Sequence, residues 1–159
     1  PLADANTRVL VLGSLPGAQS LAEQRYYAHP RNQFWCLMGE VLDEPGLSGL
    51  PYDARLDRLA RRGLGLWDTI ASARRSGSLD TAIREAEPAP VAQLAARLPN
   101  LRAIAFNGAK AAVMGRRQLA PSSWRLIDLP SSSPAHAAMP LSEKRTAWLV
   151  LREFLARAP

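Results

Sequence analysis

Two short apolar runs constrain the fold of this 159-residue chain more than any other feature. Arg8-Val9-Leu10-Val11-Leu12-Gly13 and Arg102-Ala103-Ile104-Ala105-Phe106-Asn107-Gly108 show no polar–apolar alternation, and each stops at a glycine. Strands buried on both faces read this way, and they belong to parallel sheets covered by helices above and below. Two weaker runs, Gly65-Leu66-Trp67-Asp68-Thr69-Ile70 and Trp124-Arg125-Leu126-Ile127-Asp128-Leu129-Pro130, bring the strands to four. Helical stripes fall between them: Phe34, Trp35, Leu37, Met38, Val41 and Leu42; then Leu56, Leu59 and Ala60; then Val91, Leu94, Ala95 and Leu98. A last stripe, Ala147, Trp148, Leu151, Phe154 and Leu155, follows Ser142 as its expected N-cap. The alternation predicts an α/β fold. It would be a single domain over residues 1–159, with three α/β/α layers and a central, mostly parallel four-stranded sheet.

In such sheets ligands bind in the crevice beyond the carboxyl ends of the strands, so the residues after each strand carry the information. The first strand empties into Gly13-Ser14-Leu15-Pro16-Gly17, a tight turn in which backbone can approach a ligand closely. It lacks the terminal Gly-Lys-Ser/Thr of a P-loop. Tyr26-Tyr27-Ala28-His29-Pro30-Arg31-Asn32-Gln33 then crowds aromatic rings, an imidazole, a guanidinium and two amides in front of the Phe34 helix. Aromatic and basic groups side by side suit base stacking and phosphate contact. Asn32 also stands where a helix cap belongs, and position alone leaves both roles open. The second strand ends in Asp68, able to read a donor edge of a base, and leads to a basic stretch expected to be a loop, with Arg74 and Arg75. The third strand leads to Lys110, and the fourth to Pro130-Ser131-Ser132-Ser133-Pro134-Ala135-His136, a stiff, donor-rich loop suited to a phosphodiester.

Charge and composition fit a nucleic-acid partner. Lys plus Arg number 20 against 14 Asp plus Glu, a formal +6 that a phosphate-tracking surface uses. Cys36 is the one cysteine, and His29 and His136 are the two histidines. That set is too small for a disulfide framework, a four-cysteine zinc site or an iron–sulfur cluster, so no metal and no other cofactor is expected. No apolar stretch approaches the roughly 18 residues of a membrane span, and no leader pattern is visible. The expectation is a cytoplasmic monomer, associated with the nucleoid when bound to DNA and without a membrane partner.

Taken in order, Gly13-Ser14-Leu15-Pro16-Gly17, Pro30-Arg31-Asn32-Gln33-Phe34-Trp35, Leu66-Trp67-Asp68, Gly77-Ser78-Leu79-Asp80 and Ser131-Ser132-Ser133-Pro134-Ala135-His136 resemble the uracil-DNA glycosylase superfamily. Within it they look most like the hypoxanthine-DNA glycosylase branch, from about Val9 to the C-terminal helix. The resemblance implies a monofunctional, base-flipping enzyme that hydrolyses the N-glycosidic bond of a deaminated base, hypoxanthine or uracil, in double-stranded DNA. It implies that Asn32 is catalytic and that Ser14, Leu15, Tyr27 and Asp68 hold the base, with Tyr27 stacking on it. It implies that the loop Ser131, Ser132, Ser133, Pro134, Ala135 and His136 meets DNA, while Arg31, Arg74, Arg75 and Lys110, which follow strand ends, are expected to reach phosphates. Many relatives carry Asp, Asn or Glu in the first motif to orient water, where this chain has Ser14 and Leu15, and that shifts the burden to Asn32. Ala135 lies near the position where relatives carry a larger wedge side chain. Three alternatives stand beside this: a mismatch-type uracil/thymine glycosylase, a non-catalytic DNA-binding member of the fold, and a nucleotide hydrolase using the same crevice.

Overall fold

The computed structural model describes residues 1–75 and 83–157, without the side chains of 72–75 and 83–86. Its frame is a four-stranded parallel sheet in the order β2-β1-β5-β6, built from β1 (Val9–Gly13), β2 (Leu64–Asp68), β5 (Ala103–Asn107) and β6 (Arg125–Leu129). Strand β1 pairs with β2 on one side and β5 on the other. The chain thus leaves the sheet in opposite directions on either side of β1, and that reversal opens a crevice at the carboxyl edge.

Successive residues of a strand face opposite layers, and β1 shows what each layer holds. Val9 and Val11 join Ala103 and Ala105 under α2 (Phe34–Val41), α3 (Tyr52–Arg61), α6 (Leu141–Trp148) and α7 (Arg152–Leu155). Leu10 and Leu12 join Ile104 and Phe106 under α4 (Val91–Ala96) and α5 (Ala109–Leu119). The first layer sets bulky Phe34 and Trp148, edge to face at 5.9 Å between centroids, in the same cluster as the small alanines of β5. In the second layer the large Phe106 reaches up to the helix, and Gly115 makes room for it. The three-layer α/β expectation holds in full.

Two local expectations are corrected. The basic stretch after Asp68 is not a loop at its start: Ile70–Arg75 forms β3, antiparallel to β4 (Ile83–Pro88). It hangs from the first turn, because Thr69 N–H donates to Gly13 O at 2.8 Å and Ile70 N–H to Ser14 O at 3.0 Å. Nor does Ser142 cap the last helices. Pro140 does, with φ −61° and ψ 150°, and its carbonyl accepts from Glu143 and Lys144 N–H. Proline's fixed φ suits that corner without a side-chain cap. The Gly77-Ser78-Leu79-Asp80 motif lies outside the described residues.

Helix α5 supplies the first test. A Cβ on Gly115 would stand 2.2 Å from Phe106 Cε1, inside a layer where Phe106 is wholly buried. Alanine gains about 1 kcal/mol in helix propensity over glycine. Overpacking typically costs about 1–3 kcal/mol, and a contact this short belongs at the upper end. Gly115→Ala is expected to lower the denaturation midpoint measurably with an unchanged m-value; an increase would show that the α5–sheet contact is looser than this.

Candidate active site

Parallel register places the strand ends side by side. Gly13 pairs with Asp68, and Asn107 with Leu129. Beyond them opens a cavity of about 710 Å³. Its wall is the first turn, Gly13 to Gly17, together with Tyr26, Tyr27, His29, Asn32, Asp68, Lys110 and the serine loop from Ser131 to His136. Five separate segments meet there, as strand-end chemistry requires.

The serine loop is fixed from below. Asn107 is a buried polar residue ending a buried apolar strand. Its Nδ2 donates to Ser132 Oγ, while Ser132 N–H donates to Asn107 Oδ1, both at 2.9 Å. Ser132 itself has no exposed surface, so this member of the expected DNA-contacting set faces inward and its hydroxyl is engaged with Asn107. Ser131, Ser133 and Pro134 are half-buried, and Ala135 and His136 are exposed; all of these line the cavity. Gly108, at φ +99°, turns the chain from β5 into α5, and a Cβ there would lie 3.2 Å from Ser131 Cβ. A positive φ together with that close approach requires glycine.

The opposite wall is the segment before α2. Ser20, buried on α1 (Ala18–Glu23), accepts from Ala28 N–H at 3.0 Å, and Tyr52 Oη accepts from Tyr26 N–H at 2.8 Å. Between these ties Tyr27 adopts φ +54°, a conformation that a bulky residue holds only when its surroundings impose it. One face of its ring lies on Phe34, with centroids 3.9 Å apart and planes 18° from parallel. His29 Nδ1 accepts from Arg31 N–H at 3.1 Å, so the neutral ring carries its proton on Nε2 and offers a donor at the cavity wall. Arg31 itself is exposed and lies outside the wall.

Of the two roles that position alone left open for Asn32, the geometry displays the cap bond. Helix α2 takes Gln33 as its N-cap residue, without a side-chain cap bond from it. Instead Asn32 Oδ1 accepts from Phe34 N–H at 2.9 Å. A backbone N–H can bond only the oxygen end of the amide, which fixes the flip and leaves Nδ2, with its two hydrogens, as the end that completes the group. The cap bond therefore aims a hydrogen-bond donor.

Asp68 stands at the cavity floor. Burial pushes its carboxyl up to about 7, so the group is close to half-protonated at neutral pH. The same enclosure, and secondarily the Asp68 charge, raises the Tyr26 phenol. An alanine at Gly13 would put Cβ 3.2 Å from Asp68 Oδ1 and 3.3 Å from Tyr27 Oη, so glycine keeps this floor open. The side chains of Arg74 and Arg75 lie outside the described residues.

Sequence reasoning left Tyr26, Ser20, Asn107 and Val113 without roles, and gave His29 none of its own. Asn107 carried a signal: a lone amide closing an otherwise apolar run, directly before a glycine. Among the described residues no group of three or more His, Cys, Asp or Glu could hold a metal ion, and no helix is long and apolar enough to cross a membrane.

Comparison with known proteins was consistent at three levels. Residues 1–152 match the family model of the Uracil DNA glycosylase superfamily. The chain is 42% identical over 110 residues to a protein of Methanosarcina barkeri named hypoxanthine DNA glycosylase, covering 69% of each. It is 38% identical over 133 residues to one of the same name from Methanosarcina acetivorans, covering 84% of this chain and 83% of that one. The fold superposes with a TM-score of 0.83 and 34% identity on the solution NMR structure of a provisionally assigned uracil DNA glycosylase from Methanosarcina acetivorans, covering 97% and 94% of the two chains.

The raised Asp68 carboxyl makes a signed prediction. A carboxyl whose pKa is higher folded than unfolded costs no stability below the unfolded value near 4. Stability is then lost as pH rises toward about 7 and levels off above it. Asp68→Asn is therefore expected to raise the melting temperature at pH 8 and to leave it nearly unchanged at pH 4. Equal shifts at both pH values would mean that the carboxyl is not desolvated.

Proposed function

We propose, for a chain that belongs to the uracil DNA glycosylase superfamily, that it excises hypoxanthine from double-stranded DNA and leaves an abasic site. The chain is a DNA glycosylase for deaminated bases, and its substrate is DNA. The finer reading of which residues act is argued from the cavity, and a monofunctional monomer is part of the proposal.

The reaction breaks the bond between N9 of the base and C1′ of the sugar. The electron pair leaves with the base, the sugar takes on oxocarbenium character, and a water oxygen closes on C1′ while the water's proton is taken up by the departing base. A nucleobase inside a duplex is out of reach of such a site, so the nucleotide must leave the stack first. The flipped base lies along Tyr27, whose ring is held from behind by Phe34. Stacking on such a platform contributes about 1–3 kcal/mol. The serine loop, Lys110 and Arg31 meet the backbone around it, and Arg74 and Arg75 extend that contact. Ser14 and Leu15 border the base through the first turn, and ionised Asp68 accepts from the N1–H that hypoxanthine presents.

One observation carries the catalytic assignment: Phe34 N–H holds Asn32 Oδ1 and so fixes which end of the amide is the donor. An amide so held works as a donor. Its Nδ2 hydrogens stabilise negative charge as it develops on the leaving purine, the kind of preorganised stabilisation that accounts for large parts of enzymic rate enhancement. The turn N–H groups can hold the water. A non-catalytic DNA-binding protein would have no use for that donor or for the desolvated Asp68.

Two experiments follow. Single-turnover incubation with deoxyinosine- and deoxyuridine-containing duplexes in excess chelator is expected to release free hypoxanthine with no strand cleavage. Activity lost on chelation and restored by metal would count against the reading, and release of uracil alone would move the chain to the mismatch-type alternative. Asn32→Asp keeps an oxygen for Phe34 N–H but replaces the donor with a charge opposing the leaving anion. Asn32→Asp is expected to melt within a few degrees of wild type and to excise about a hundredfold more slowly or worse. Near-normal excision by that variant would leave Asn32 as a cap only.

A further inference from the structure

Helix α6 carries a buried cation that the chemistry above does not use. Lys144 is 1% exposed, and burial lowers its ammonium below the usual lysine range. Among the described residues no carboxylate lies in ion-pair reach of it. Its Nζ instead donates to Gln33 Oε1 at 2.9 Å. An unpaired buried ammonium costs stability, so a helix built only for packing would carry an apolar residue there.

Its partner explains the position. Gln33 directly follows Asn32, and Gln33 N–H donates to Ser132 O at 2.9 Å. Ser132 is the residue clasped by Asn107. One helical turn after Lys144, Trp148 Nε1 donates to Pro130 O at 2.9 Å. Positions four apart share a helix face, so one face of α6 holds both loops at once. Lys144 reaches the turn that carries Asn32, Trp148 reaches the base of the serine loop, and the Gln33–Ser132 bond joins the two.

We propose that Lys144 is a positioning residue for base excision: its ammonium clamps the Asn32–Gln33 turn against the serine loop and so sets the direction of the Asn32 amide. The inference rests on the donor role of Asn32 given above. Lys144 does not line the cavity, so it acts through Gln33 and not on the base. A lysine suits the task because its long stem is packed while its head still carries three donors.

Lys144→Met keeps the stem and removes the head. Lys144→Met is expected to excise hypoxanthine at least about tenfold more slowly in single turnover, the scale on which small misplacements of catalytic groups act. Affinity for an abasic-site duplex is expected to stay within about threefold of wild type, since the variant changes no group placed on the DNA. Amide hydrogen exchange at Gln33 is expected to accelerate at least about tenfold while Val11 in β1 is unchanged, a local opening and not a global one. The double variant Gln33→Met, Lys144→Met removes both polar partners and carries the test if the single variant unfolds. It is expected to excise as slowly as the single variant, because both act through one contact.

Normal excision by folded Lys144→Met overturns the proposal, as does an unchanged exchange rate at Gln33. Failure of both variants to fold also overturns it, by making Lys144 a requirement of folding. If wild-type protein releases no base from any duplex, the functional reading fails, and the exchange measurement still decides whether the clamp exists.

Discussion

The reciprocal bonds between Asn107 and Ser132 are the constraint on which the site depends. A parallel sheet delivers its strand ends to one edge but leaves each following loop to find its own course. Here the last residue of a central strand reaches across and satisfies both the backbone N–H and the hydroxyl of a residue in the neighbouring loop. Both groups are buried, so breaking the pair would strand donors and acceptors away from water. The same serine then uses its carbonyl to hold the Gln33 N–H, and the wall opposite is fixed by the same stroke. Sheet register, loop course and the aim of the Asn32 amide thus form one connected set of hydrogen bonds.

Enclosure does the electrostatic work. Asp68 and Tyr26 are pushed toward their neutral forms by the same loss of solvent. In an enclosure that resists charge in its own side chains, hydrogen bonds act more strongly than they do in water. Backbone strain at Tyr27 belongs to the same design. The ring is held on Phe34 by ties at Ala28 and Tyr26, so its place at the cavity wall is fixed by the fold itself.

The sheet was legible because Val9 to Leu12 and Ala103 to Phe106 are buried on both faces, and burial on both faces leaves an unbroken apolar run. The β3–β4 pair was not legible, since Ile70–Arg75 ends in two arginines and is held by carbonyls of the first turn, a contact without a sequence signature. Asn32 was read as either a cap or a catalytic group because propensity addresses one function at a time. In space the amide has two ends, and the cap bond engages only its oxygen. Ser142 misled for a simpler reason: a proline in the extended region can open a helix without a side-chain oxygen. Lys144 gave no signal at all. A lysine on an amphipathic helix reads as solvent-facing, and only the packing of α6 against the Gln33 turn turns it inward.

The order of the strands along the chain has a consequence for how the molecule comes into being. Central β1 is made first, yet its neighbour β5 lies some ninety residues later in the chain, with β6 beyond it. During synthesis the Tyr27–Asn32 segment exists well before the serine loop that it must meet, and contacts this distant in sequence form slowly. Until β5 and β6 dock, Gln33 lacks the Ser132 carbonyl and Phe34 lacks Trp148. A nascent or truncated chain would therefore hold one wall of the cavity with no means of shaping it, and the cavity would be complete only once the whole sheet had closed.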